Sequence, residues 1–92
     1  MSDRTELATG TVESRMSAML AVLQRADAKG EPADNESIAN ALGWDLDETA
    51  VIVHSARESL LVWGLREGRK PGPWYSSLEL TVQGRRYLRE RA

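Results

Sequence analysis

The side chains best suited to chemistry in this sequence are its arginines and lysines, and the chemistry they suit is phosphate binding. Residues 49–92 carry eight basic side chains against four acidic ones, whereas residues 1–48 carry four basic against ten acidic. The net charge of −2 therefore conceals a cationic second half, and a phosphate responds to a local patch more than to the total. Arg66, Arg69 and Lys70 fall close together, Arg85, Arg86 and Arg89 form a second run, and Arg57 lies between residues 49 and the first group. Six or so phosphate contacts give an affinity that falls steeply with salt and depends little on base sequence. The plainer use of such cations is solubility at a charged surface.

Other chemistries are poorly served. The chain has no Cys, which removes disulfides, thiolate metal sites and a Cys nucleophile together, so stability must come from packing, with or without dimerisation. His54 is the one histidine, so no His pair exists for a metal and any site would be all-oxygen. Neither metal nor cofactor is expected. Ser55 and Ser59 flank His54, but no carboxylate is spaced to orient its ring as a triad requires. Gly68, Gly72 and Gly84 match neither the Walker nor the dinucleotide pattern. Enzymatic function is not expected.

A chain of 92 residues and 10.2 kDa has room for one small domain, which buries roughly 60–65% of its unfolded surface. With 41% hydrophobic and 28% charged residues, it is too apolar to be disordered. Residues 1–11 are polar with little periodicity and are expected to be a mobile N-terminal tail, leaving 12–92 as the folded unit. The longest uncharged apolar-leaning run, residues 16–24, is too short to span a membrane; no secretion signal is present, and a cytoplasmic location is expected.

Elements that position the cations follow from periodicity and caps. Val12, Met16, Met19, Leu20, Leu23 and Ala26 form one helical stripe, predicting helix 1 over roughly 12–29, capped by Thr11 and stopped at Gly30. Asp34-Asn35 starts a short helix 2 carrying Ile38, Ala39 and Leu42, which Gly43 ends. Asp45 and Glu48 make a reciprocal cap for helix 3, starting near Leu46. Its inward stripe of Leu46, Thr49, Val53, Ala56, Leu60 and Trp63 predicts about five turns, up to Gly64. Residues 65–67 and 74–80 read as two short strands joined by a basic tip, and Thr81 caps a last helix bearing Val82, Tyr87 and Leu88. Two helices joined by a tight turn and followed by a hairpin make a helix-turn-helix with a wing; the fold class is mostly α with a small β-hairpin.

Three segments carry a family likeness: "ESIANALGWDLDETAVIVHSARESL", "WGLREG" and "LELTVQGRRYL". With helix 1 they cover about 80 of the 92 residues, and the chain resembles the winged helix-turn-helix domains of small bacterial and archaeal transcription regulators. The last segment, a Leu-Thr pair closing the wing and capping a Gly-Arg helix, is the most specific. The resemblance implies a recognition helix in the DNA major groove, a basic wing on adjacent phosphates, double-stranded DNA as partner, and commonly a homodimer reading two half-sites.

On that reading the DNA-binding residues are Val51, His54, Ser55 and Arg57 on helix 3, Arg66, Arg69 and Lys70 on the wing, and Arg85, Arg86 and Arg89 on the last helix. The outward face of helix 3 offers none of the Arg, Lys, Asn or Gln side chains that most often read bases, and Asp45, Asp47 and Glu48 add negative charge at its start. Base reading would then rest on shape and on thymine methyls against Ala50 and Val51. Trp74 and Tyr75 are expected to pack on the helices rather than stack on bases, and Trp44 and Trp63 to fill the core at the two ends of helix 3. Val51, Ser55, Glu58 and Val62 form an outward line on helix 3 with Ile52 at its edge, while helix 1 carries Ala18 and Val22 beyond its stripe. Either face suits a dimer contact, helix 1 better. The alternative function is a winged helix used as a protein-interaction module, docking through the Val51–Val62 line.

Overall fold

The computed structural model describes residues 12–91; the expected tail and the Thr11 cap lie outside them. Helix α1 (Val12–Lys29) buries Met16, Met19, Leu20 and Leu23 as the stripe requires, and also Val22. Gly30 ends it with φ 70, its N–H bonding to the Asp27 carbonyl and that of Glu31 to Ala26, the paired closure of a Schellman turn. Helix α2 (Asn35–Leu42) is capped reciprocally: Ser37 N–H donates to Asp34 Oδ1 at 2.8 Å and Asp34 N–H to Ser37 Oγ at 2.9 Å. Gly43, with φ 69, ends it.

Helix α3 (Leu46–Glu58) starts where expected, with Asp45 accepting the Glu48 N–H at 2.7 Å and the buried Thr49 hydroxyl bonding back to the Asp45 carbonyl. The cap is not reciprocal, because the Glu48 carboxylate pairs with Arg15 of α1 instead. Its end differs from the expected five turns: α3 stops at Glu58, and Leu60 adopts a left-handed conformation with φ 61. Leu61 N–H bonds to Ala56 and Leu60 N–H to Arg57, the same closure made at Gly30. Here a leucine occupies the position that glycine fills without strain.

Leu60 is 57% exposed, so it contributes little to the core while its left-handed backbone costs on the order of 1–2 kcal/mol. Leu60→Gly is expected to stabilise the fold by about 0.5–1 kcal/mol after allowing for the greater freedom of glycine in the unfolded chain. Thermal unfolding checks this, and an unchanged or lower midpoint counts against it.

Strands β1 (Val62–Glu67) and β2 (Trp74–Leu80) form a two-stranded antiparallel hairpin, whose tip contains cis peptides at Lys70-Pro71 and Gly72-Pro73. The register slips between Trp63 and Leu65, where Ser77 of β2, with φ 52, takes up the extra residue of a bulge. On the far side of β2 the Leu78 N–H bonds to the Ala33 carbonyl at 2.9 Å, laying the α1–α2 connection against the wing. Helix α4 (Val82–Arg91) is the last of the described elements.

Among the described residues, four helices with an antiparallel hairpin after the third make a winged-helix arrangement, as the sequence led us to expect. Met16, Met19, Leu20 and Leu23 of α1, Ile38, Val53, Ala56 and the inward side chains Val62, Tyr75, Leu78 and Leu80 of the hairpin share one core, while Val12 of the expected stripe is exposed at the start of α1. Burial of Val62 and Ile52 removes the outward line expected on helix 3, leaving Val51 exposed there, and burial of Val22 subtracts from the surplus expected on helix 1. No helix among the described residues is long and apolar enough to cross a membrane.

Candidate nucleic-acid interface

Asn35 couples the helices to the wing. Fully buried at the first position of α2, it donates through Nδ2 to the Pro73 carbonyl at 3.0 Å and accepts the Tyr75 N–H on Oδ1 at 3.0 Å. These bonds hold the returning strand on either side of Trp74. From α3, His54 Nδ1 lies 3.1 Å from the Tyr75 hydroxyl, with the two rings stacked at 16°. Trp74 and Tyr75 are both buried, in keeping with the packing expected of them.

On this aromatic base lie the wing cations. The Arg69 guanidinium sits 4.0 Å from the centroid of the Trp74 ring and that of Arg66 5.7 Å from Tyr75, distances at which the ring quadrupole attracts a cation. Arg69 also lies 3.8 Å from Glu36 of α2, an exposed pair that salt screens. Lys70 is exposed at the tip. Stacking restricts the arginine rotamers without neutralising their charge, so the wing presents cations in defined positions.

On α3, Val51 is exposed, and His54 and Ser55 are partly buried. Arg57 turns towards β1 and lies over the Trp63 ring at 4.3 Å, with its Nε buried and lacking a hydrogen-bond acceptor. The acidic start of α3 is less adverse than its composition suggests: the Asp45 carboxylate caps the helix and Glu48 is paired with Arg15. Asp47 and Glu58 remain exposed.

The last-helix arginines do not join the wing group. Arg85 reaches towards Asp27 of α1 at 3.8 Å, and Arg85 and Arg89 line an open groove with Ser14, Ser17, Ala18 and Ala21 of α1 and Leu88 of α4. Arg86 is exposed on α4. Arg66 and Arg69 thus lie on the wing aromatics, Arg69 beside Glu36 of α2, whereas Arg85 and Arg89 lie beside α1.

Two features escaped the sequence reading. Asn35 was legible only as a helix start, because its partners lie about 40 positions away in the chain. Trp63, expected in the core, is 53% exposed, because α3 ends before it and β1 directs it outward. Comparison with protein-family models, curated proteins and solved structures returns no match to this chain, so its winged-helix topology rests on the order and packing of its own elements.

Proposed function

We propose that this protein binds double-stranded DNA as a winged-helix regulator, gripping phosphates with Arg66, Arg69 and Lys70 while the exposed face of α3, bearing Val51, His54 and Ser55, enters the major groove. The observation that carries the reading is the linkage from α3 through His54 and Tyr75 to the arginines laid on the wing aromatics. It sets recognition helix and wing at one fixed spacing, as a duplex with regularly spaced phosphates demands. Withdrawal of Glu48 into its pair with Arg15 supports the same face. Base reading is weak, through shape and methyl contacts, because α3 offers no Arg or Lys to guanine on this face. Arg85, Arg86 and Arg89 act only if the duplex is long enough to reach α4.

Salt titration of binding to a duplex tests this. The wild type binds at about 50 mM salt, and Arg69→Ala with Lys70→Ala lowers affinity at least about tenfold and reduces the log–log salt slope by about 1.8, the share of two phosphate contacts. Absence of binding at low salt, or a slope unchanged by the double substitution, rules the reading out.

A second reading, a protein-interaction module, draws on the exposure of Val51 on a helix face without base-reading side chains. Val51→Glu then abolishes capture of the partner while leaving any DNA affinity nearly intact.

A further inference from the structure

The outward face of α3 holds one hydrogen-bonding group whose polarity the fold itself fixes. Asp47, Val51, His54, Ser55 and Glu58 follow the three- and four-residue spacing of a single helical face, and all are exposed or half-buried. Val51 is apolar. The carboxylates of Asp47 and Glu58 only accept hydrogen bonds, and the Ser55 hydroxyl rotates to donate or accept. His54 differs because its ring is held: Nδ1 lies 3.1 Å from the Tyr75 hydroxyl, and the two rings are stacked at 16°. Tyr75 in turn is 4% exposed and fastened through its N–H to Asn35.

That contact decides which nitrogen of His54 carries the proton. The hydroxyl of a buried tyrosine needs an acceptor for its hydrogen, and among the described residues the Tyr75 hydroxyl has one partner, the His54 ring. It therefore donates to Nδ1. A neutral imidazole that accepts at one nitrogen carries its proton on the other, which places the proton of His54 on Nε2. The two nitrogens point apart across the ring, so Nε2–H aims away from Tyr75. Nε2 has no partner among the described residues, and the one described side-chain atom that is both buried and unpartnered is the Arg57 Nε. Nε2–H consequently meets solvent as a free donor.

We infer that His54 is the base-reading residue of α3, donating Nε2–H to N7 of a purine in the major groove. The inference rests on the proposed binding of double-stranded DNA and adds to it the base class recognised. Guanine and adenine both present N7 as an acceptor at the major-groove edge, whereas at the corresponding place thymine sets its methyl group and cytosine a C–H, neither of which accepts. A donor fixed there selects a purine without separating guanine from adenine. Tyr75 is the positioning residue. With the opposite tautomer Nε2 would be an acceptor and would favour the amino groups of adenine or cytosine instead.

Nitrogen-15 NMR of the neutral imidazole tests the tautomer without DNA: the proton is expected on Nε2, and Tyr75→Phe, which keeps the ring but not the donor, should raise the share of Nδ1–H. Selection from a randomised duplex library at about 50 mM salt, then replacement of each purine of the enriched site by its 7-deaza analogue, tests the contact. One such replacement is expected to lower wild-type affinity about three- to tenfold, the share of one hydrogen bond. The same replacement should leave His54→Ala unaffected, and that variant should lose the purine preference at that position. Circular dichroism verifies the fold of His54→Ala, and the 7-deaza series on the wild type needs no substitution. A proton on Nδ1 overturns the inference, as does a 7-deaza effect that persists in His54→Ala. A wild type that binds duplex but is indifferent to every 7-deaza purine overturns it too, while the DNA reading stands. Absence of binding to any duplex at low salt overturns both.

Discussion

Replacing Asn35 by alanine is expected to lower the unfolding free energy by about 2–4 kcal/mol, because the buried Tyr75 N–H and the half-buried Pro73 carbonyl lose their partners at once. The Pro73 carbonyl and the Tyr75 N–H both bond to this one side chain, and Asn35 is itself inaccessible to solvent, so water cannot replace it without opening the joint between α2 and β2. Asn35→Asp separates shape from hydrogen bonding. It keeps the acceptor for Tyr75 but sets a carboxylate against the Pro73 carbonyl in a buried site, which raises the folded-state pKa of the new acid. A raised folded pKa places the variant's stability on the acidic side: the deficit relative to wild type should be smallest below the unfolded carboxyl pKa of about 3.9 and grow as pH rises. Urea unfolding of both variants from acidic to neutral pH checks this; an Asn35→Ala loss below about 1 kcal/mol would mean that water replaces both bonds.

Gly84→Ala is expected to be equally damaging, against the usual rule for helices. Within a helix this change commonly gains on the order of 1 kcal/mol. Here a Cβ on Gly84 would overlap the Leu61 carbonyl oxygen and sit 3.2 Å from Leu80 Cδ2. Backbone cannot rotate aside as a flexible side chain can. The same Leu61 carbonyl accepts the Thr81 N–H at 3.1 Å, the Thr81 hydroxyl donates to Leu60 at 2.6 Å, and Thr81 Oγ1 accepts the Gly84 N–H at 3.0 Å. Moving α4 away to admit a methyl group therefore weakens the joint that Thr81 makes. Overpacking together with these bonds amounts to about 2–4 kcal/mol, measurable as a lower thermal midpoint. A stabilised Gly84→Ala would show that α4 rides free of the α3–β1 turn.

The Leu-Thr and Gly of the "LELTVQG" segment acquire a physical reading from this joint. Leu80 is buried, Thr81 caps α4 while holding the end of α3, and Gly84 permits the close approach. The sequence supported the cap, because Thr before a helical pattern is a local signal. That Thr81 also bonds to the α3–β1 turn was not readable, since Leu60 lies 21 positions earlier. This contact also explains the early end of α3: the Leu60 carbonyl is taken up by Thr81 and the chain turns there, although leucine is a good helix former and carries no stop signal.

Amphipathic spacing and short-range caps made the first two helices, the start of the third, the hairpin and the last helix legible from residues alone, because their causes lie within one turn or one cap of the residues concerned. The cationic wing was legible for the same reason, as Arg66, Arg69 and Lys70 are neighbours in the chain. Only the tertiary structure decided which cations lie on which face. It set Arg85 beside Asp27 and laid Arg66 and Arg69 on Tyr75 and Trp74. It also withdrew Glu48 to Arg15, buried Val62 and turned Trp63 outward. Each of these depends on a partner distant in sequence or on where α3 ends, and neither periodicity nor local charge carries that information.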